Sequence, residues 1–196
     1  MIASLPAELV RAIRLTLWFA VVTGLLYSLA VSGVAQVIFP SQSNGSLVTR
    51  NGQVVGSQLI GQQFTSDRYF HGRISATATP YAADNSAGSN LGPNNKALVN
   101  RVASDARAYR QANGMGANDP VPVDAVTADF SGFDPDVSEA NALLQVHRVA
   151  QARHLDEAKV RALVERNVQG RVLWIFGEPH VNVLQLNLAL DAGEAG

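Results

Sequence analysis

Side chains able to do acid–base, nucleophilic or metal chemistry are few and scattered in this chain of 196 residues. The four histidines are His71, His147, His154 and His180. His147 and His154 can share a helix face, but the i, i+4 pair that chelates a metal is missing. Each histidine is therefore read as a surface or hydrogen-bonded structural group. A Ser-His-Asp triad assembles from distant positions, and the sequence selects none. No P-loop, dinucleotide-binding glycine motif, H-E-x-x-H helix or nucleophile elbow occurs. With no cysteine, disulfides, thiolate metal sites and a cysteine nucleophile are excluded. The residues left to consider are Asp67-Arg68-Tyr69-Phe70-His71-Gly72-Arg73, then Ser86-Ala87-Gly88-Ser89-Asn90-Leu91-Gly92-Pro93. Such a glycine- and amide-rich loop could cradle a ligand, form a rigid contact surface for another protein, or be ordered only by its own hydrogen bonds.

The elements that must position this loop read as a mixed α+β (α/β) domain with one core and no internal repeat. Asn51-Gly52 between Leu47-Val48-Thr49 and Gln53-Val54-Val55 predicts a hairpin. Phe64 and Tyr69-Phe70 predict a further strand, and His71 to Asn95 a long ordered loop. Asn94 or Asn95 caps a helix with apolar face Leu98, Val99, Val102, Ala106 and Tyr109, ended by Gly114. Ser138 caps a second helix with Leu143, Leu144 and Val146 to Val149 along one side. Asp156 caps a third, with Val160, Leu163 and Val164 inward. Val172 to Phe176 reads as an apolar strand. Val181 to Leu190 fits strand by alternation and helix by composition.

The chain is 47% hydrophobic and 16% charged, against about 25% charged for an average soluble domain. The deficit is local, since no charged residue lies between Arg14 and Arg50. Leu15 to Phe39 is 25 residues without a charge, long enough as a helix to cross the ~30 Å hydrocarbon core. Gly33-Val34-Ala35 resembles a signal-cleavage site, but signal h-regions run only about 7–15 residues, which favours a retained anchor. Arg11, Arg14 and the amino terminus precede the span, and only Arg50 follows closely. Positive charge stays in the cytoplasm, so residues 1–14 are placed inside and residues 40–196 outside, as a periplasmic domain in a Gram-negative cell. Thr16, Ala20, Gly24, Ser28 and Ser32 recur every four residues, a ridge that suits packing against another membrane helix. A four-residue ridge winds slowly around the helix, so one straight partner would touch about three of the five. The net charge of −1 gives no electrostatic reason to bind nucleic acid.

Several segments together resemble the C subunit of the bacterial Kdp potassium-transporting P-type ATPase. They are Tyr69-Phe70-His71-Gly72-Arg73 with Ser75-Ala76, Gly88-Ser89-Asn90-Leu91-Gly92-Pro93, and Val121-Pro122-Val123-Asp124-x-Val126-Thr127-Ala128. Ser131-Gly132-x-Asp134-Pro135, Gln145-Val146-x-Arg148-Val149-Ala150-x-Ala152-Arg153 and the run from Gly177-Glu178-Pro179 to Asp191 complete the set. Departures are Ile74 and His147 where proline is usual, and Ala87 where glycine is. The resemblance implies a non-catalytic accessory subunit of a high-affinity potassium importer in the cell inner membrane. Its partners would be a potassium-channel-like subunit, an ATP-hydrolysing P-type subunit, a small membrane subunit and lipid.

The family is described as a catalytic chaperone that raises the ATP affinity of the hydrolysing subunit. Ser131, Gly132 and Gln145 match its proposed nucleotide contacts. No tightly bound cofactor and no metal are expected, only ATP shared with the hydrolysing subunit. The charge argument puts those three residues outside, away from cytoplasmic ATP. Partner contacts are expected along the small-residue ridge and at Tyr69, Phe70, His71, Arg73, Ser89 and Asn90. Direct nucleotide binding and a secreted enzyme released by signal cleavage remain the alternative readings.

Overall fold

The computed structural model describes residues 5–193 and divides the chain into two compact units, Met1–Leu47 and Val48–Gly196. The amino-terminal group counted in the orientation argument, and residues 194–196, lie outside the described residues.

The first unit is built on one continuous 34-residue helix, Leu5–Ile38. It comprises α1 (Leu5–Val21), a π-helical turn (Val22–Tyr27) and α2 (Ser28–Ile38), and none of its side chains is buried. At 1.5 Å per residue it is about 50 Å long. The helix starts ahead of the uncharged stretch, and its first turns carry Glu8, Arg11 and Arg14, with Glu8 accepting from Arg11 at 2.6 Å. It stops at Phe39, whose backbone leaves the helical region (φ −130°, ψ 59°), and Pro40 opens a separate short helix α3 (Pro40–Ser43). Proline has no N–H to continue the ladder.

The π turn has local causes. The Thr23 hydroxyl donates to the Phe19 carbonyl at 2.6 Å, competing for an acceptor of the helix ladder. Ser28 Oγ donates to Thr23 O, five residues back, at 3.3 Å. Gly24, within the turn, adds no side chain to crowd the widened backbone.

The second unit opens with the hairpin β1 (Leu47–Arg50) and β2 (Gln53–Ser57). Asn51 and Gly52 both have positive φ, 53° and 78°, the geometry of a type I′ turn. After the long loop come α4 (Lys96–Ala112), α5 (Val123–Val126), β3 (Asp136–Ser138), α6 (Glu139–Arg153), α7 (Glu157–Arg166), β4 (Val168–Gln169), β5 (His180–Asn182) and α8 (Val183–Asp191). The predicted caps of three helices are in place: Asn95, Ser138 and Asp156 accept from Ala97, Asn141 and Ala158 N–H. The mixed α+β class is therefore observed. A small antiparallel sheet of order β3-β5-β4 registers Val181 against both Val137 and Val168. Its inner face meets Val146, Val149, Val160, Leu163, Leu186 and Phe70, all fully enclosed.

Four local expectations change. Tyr69-Phe70 is not a strand. No strand lies alongside to complete its ladder, and helix side chains supply those hydrogen bonds instead, as described below. Val172 to Phe176 is not a buried strand but a tight exposed turn, with Val172 bridging Phe176 and Leu173 and Trp174 at positive φ. Val181 to Leu190 divides at Asn182, which ends β5 and caps α8 by accepting from Gln185 N–H. From there Val183, Leu186, Asn187 and Leu190 lie on one helical face, and all are buried. Finally, α4 buries none of its side chains. It meets α6 through Tyr109, whose hydroxyl donates to Asn141 Oδ1 at 2.8 Å, and Val99 is 57% exposed.

Candidate functional site

The segment Asp67–Arg73 is strapped to the core by side chains of α6 and α8. Gln145 Oε1 accepts from His71 N–H at 2.7 Å, and its Nε2 donates to His71 O at 3.1 Å. Asn187 does the same for the preceding residue, with both bonds to the Phe70 backbone at 2.9 Å. Two amide side chains thus replace the strand that would otherwise pair with Phe70-His71, and the Phe70 ring fills the core between them. A buried backbone with free polar groups would be costly, which is why these amides are needed.

Arg148 completes the strap. Only 6% exposed, its guanidinium donates to the carbonyls of Asp67 and Tyr69 at 2.8 and 3.0 Å, to Asn113 Oδ1 at 3.1 Å, and to Gln145 Oε1 at 2.7 Å. Gln145 Nε2 also donates to Asn141 Oδ1 at 2.9 Å. All four hydrogen-bonding positions of the Gln145 amide are therefore occupied by protein. Burial, and secondarily the Arg148 charge, pull the His71 pKa below its usual value. The neutral ring places Nε2 3.0 Å from Ser66 O, the position for a donated proton. Burial chiefly, with the Asp124 charge nearby, raises the Tyr109 pKa, so its hydroxyl remains a donor.

Beside this strap lies a cavity of about 260 Å³, walled by His71, Asp105, Tyr109, Asn113, Asn141 and Gln145 among others. Its polar lining is spent largely on internal bonds, and neither Ser131 nor Gly132 reaches its wall. Those two residues sit in a separate loop around Asp129. One Asp129 oxygen accepts from Ser131 Oγ and from the amides of Gly132, Phe133 and Asp134 at 2.8, 3.1 and 3.0 Å. Burial alone would raise its pKa, but these hydrogen bonds and the Arg73 charge outweigh that and lower it. Gly132 has φ +86°, and a Cβ there would overlap Thr77 Cγ2 and lie 3.0 Å from Ala87 O. Its space is filled by the long loop, whose Ser75 and Ser86 hydroxyls donate to the carbonyls of Gly132 and Ser131 at 2.6 and 3.0 Å. The long loop is thus held by bonds to the Asp129 loop as well as by its own, such as the Tyr81 hydroxyl to Arg73 O at 2.6 Å.

The expected contact residues divide by exposure. Phe70 is fully enclosed. Tyr69 donates its hydroxyl to Asp191 at 3.1 Å and stacks its ring 4.7 Å from the Arg153 guanidinium. Arg73 pairs with Asp134 at 2.8 Å and is half-buried. Ser89 is half-buried and Asn90 is exposed, at a positive φ of 52°. Asn141, Arg148, Asn187 and Asp191 hold the strap, and Asp129 organises the separate Ser131-Gly132 loop, roles that no sequence motif marks. Their signal was there in part, because Asn141, Gln145 and Arg148 share a helical face at spacings of four and three. Counting only the apolar residues of that helix hides it.

On the long helix, the π turn changes the ridge. In a uniform α-helix each four-residue step drifts by about 40°, spreading Thr16 to Ser32 over about 160°. One π insertion takes back about 100° of phase. All five small residues then fall within an arc of roughly 60°, narrow enough for one straight neighbour.

Two kinds of similarity place the chain among known proteins. The family described as K+-transporting ATPase, c chain (KdpC), matches residues 9–192. A potassium-transporting ATPase KdpC subunit of Methylobacterium nodulans is 53% identical over 203 residues, covering 97% of this chain and 98% of the relative. The Rhodopseudomonas palustris subunit of the same description is 51% identical over 199 residues, covering 95% and 98%. That of Mycobacterium tuberculosis is 50% identical over 184 residues, covering 94% and 97%.

Proposed function

Because the chain belongs to the KdpC family, the c chains of K+-transporting ATPases, we propose that it acts as an accessory subunit that holds the import complex together. The reading rests above all on Thr16, Ala20, Gly24, Ser28 and Ser32, which helix geometry with one π insertion brings into one narrow arc of a 34-residue helix with no buried side chain. Lipid tails are as apolar as leucine, so close backbone approach along such an arc is what favours helix association in a bilayer. The neighbour in this proposal is a membrane helix of the potassium-channel-like subunit, with the ATP-hydrolysing and small membrane subunits completing the complex.

Residues 1–14 lie in the cytoplasm and residues 40–196 in the periplasm of the cell inner membrane, by the bias of Arg11 and Arg14 over Arg50. A higher ATP affinity of the hydrolysing subunit would then arise indirectly, through the assembled state. Ser131, Gly132 and Gln145 serve the fold of the outer domain, since their polar atoms and space are taken up by protein. With a net charge of only −1, the domain acts by contact and shape rather than by concentrating cations.

The test is Gly24→Leu with Ser28→Leu in the full chain, co-expressed with the other subunits. Loss of complex recovery and of potassium-stimulated ATP hydrolysis is expected, while the isolated chain stays in the membrane. Unchanged recovery and transport defeat the packing assignment. Orientation is tested separately with Phe130→Cys, a position 87% exposed in a chain with no native cysteine. Labelling by an impermeant thiol reagent applied outside is expected; labelling only after the membrane is opened reverses the topology.

A further inference from the structure

The turn between β4 and β5 has no role in the arrangement above. Val172, Leu173, Trp174, Ile175 and Phe176 are 65%, 72%, 93%, 71% and 61% exposed. Five successive apolar side chains therefore radiate from one convex tip, with Trp174 the most exposed of them. Leu173 and Trp174 adopt positive φ, 52° and 67°, a conformation that costs non-glycine residues energy. The core gains nothing from it, because these side chains point away from the domain.

The backbone of the tip is closed on itself. Val172 N–H donates to Phe176 O at 2.8 Å and Phe176 N–H to Val172 O at 2.9 Å. Trp174 and Ile175 N–H donate to Arg171 O and Val172 O, both at 3.2 Å. Below it, Arg171 and Glu178 form an ion pair of 2.6 Å that collars the neck. An apolar cap with four of its five amides bonded internally, a tryptophan at the apex and a polar collar is an arrangement that the headgroup level of a bilayer tolerates. Hydrocarbon leaves unpaired amides without a partner, and tryptophan favours the headgroup level.

Chain length brings a bilayer within range. Ile38 ends the apolar helix and Val48 opens the domain, so the nine-residue connector between them spans at most about 35 Å. A domain of this length is roughly 40 Å across, so a tether of that reach leaves the bilayer accessible to it. Within the domain, Asn182 donates to Gln58 O at 2.9 Å, just past the hairpin where the chain enters. Phe176 lies six residues before Asn182, no more than about 20 Å away along the chain.

We propose that Val172–Phe176 is a second membrane attachment, inserting its side chains into the headgroup–acyl boundary of the bilayer that the long helix crosses. The inference rests on that helix being retained as an anchor, and does not depend on which side the domain occupies. Two attachments would limit the tilt of the domain and hold one of its faces toward the membrane.

The test uses the full chain carrying Trp18→Phe, so that Trp174 is its sole tryptophan, reconstituted in phosphatidylcholine–phosphatidylglycerol vesicles and recovered by flotation. Flotation reports the anchor independently of the tip, and only floated protein is measured. Brominated phosphatidylcholine is expected to quench Trp174 emission roughly two-fold or more, as insertion to a depth of about 5–10 Å requires. Acrylamide quenching should fall well below that of the same protein in denaturant. Leu173→Ser with Ile175→Ser should restore acrylamide access without changing flotation. Water-like emission with no bromolipid quenching in floated protein overturns the proposal. So does shielding of Trp174 that appears only in the assembled complex and without bromolipid quenching, which would make the tip a protein-docking surface.

Discussion

Replacing Gln145 by leucine removes the strap while keeping a side chain of similar length. The residue is 2% exposed, so little water reaches its bonds. Arg148 keeps the carbonyls of Asp67 and Tyr69 and the Asn113 amide. Asn141 Oδ1 keeps the Tyr109 hydroxyl. The groups left without a partner are the N–H and C=O of His71 and the Arg148 Nη2, all bonded only to Gln145 among the described contacts. A buried unsatisfied group costs about 1–3 kcal/mol. The three together, partly offset by the added apolar contact of leucine, give an expected loss of about 4 kcal/mol. For a domain of this size that lowers the melting midpoint by roughly 10 °C. Calorimetry of the detergent-solubilised full chain measures the shift. Hydrogen exchange at His71 N–H reports the local cause, and its protection should fall about ten-fold or more. A shift below about 2 °C with His71 still protected refutes the reasoning. A nucleotide-contact role, by contrast, predicts an unchanged midpoint and weaker ATP binding.

Three further outcomes follow from the same geometry. Because the folded His71 pKa is lowered, the unfolded chain binds the proton more readily, and stability is lost as pH falls below about 6.5. His71→Gln should flatten that part of the denaturation profile; an unaltered pH dependence contradicts the assignment. Gly132→Ala forces a Cβ onto Thr77 at positive φ and should cost about 2–4 kcal/mol in urea unfolding. Adding Thr77→Ser relieves the overlap but not the φ strain, so recovery should be partial, and full recovery would show that overlap alone mattered. Asp129→Asn should destabilise by about 1–3 kcal/mol at neutral pH, where the carboxylate accepts its hydrogen bonds as a charge. With the folded pKa lowered, that stabilisation is lost as pH falls through it, so the gap from the parent chain should narrow near pH 3. An equal gap at both pH values counts against a charged Asp129.

Much of the architecture was legible in the amino-acid order because local rules carried it. Asn51-Gly52 needs positive φ at two successive positions, and only a few residue types accept that readily. Asn95, Ser138 and Asp156 each precede a helical pattern and have an oxygen that fits the orphan amides of its first turn. The absence of charge from Leu15 to Phe39 fits the apolar part of the long helix in the same way, since length and hydropathy suffice. Membership of the family was legible from several ordered segments, whose residues prove to be largely internal. Tyr69, Phe70, His71 and Arg73 bind Asp191, Asn187, Gln145 and Asp134 rather than facing outward together.

What the order of residues left open was decided by partners distant along the chain. Tyr69-Phe70 looks like a strand because its side chains favour one, yet whether a neighbouring strand exists depends on where α6 and α8 bring Gln145 and Asn187, 74 and 117 residues away. Val172 to Phe176 reads as core by hydrophobicity alone. Its exposure follows because β5 already has β3 and β4 on its two edges and α6 to α8 fill the inner face. Apolar composition records the tendency to leave water, whereas the tertiary structure determines which apolar segments find room inside and which must be covered by something else.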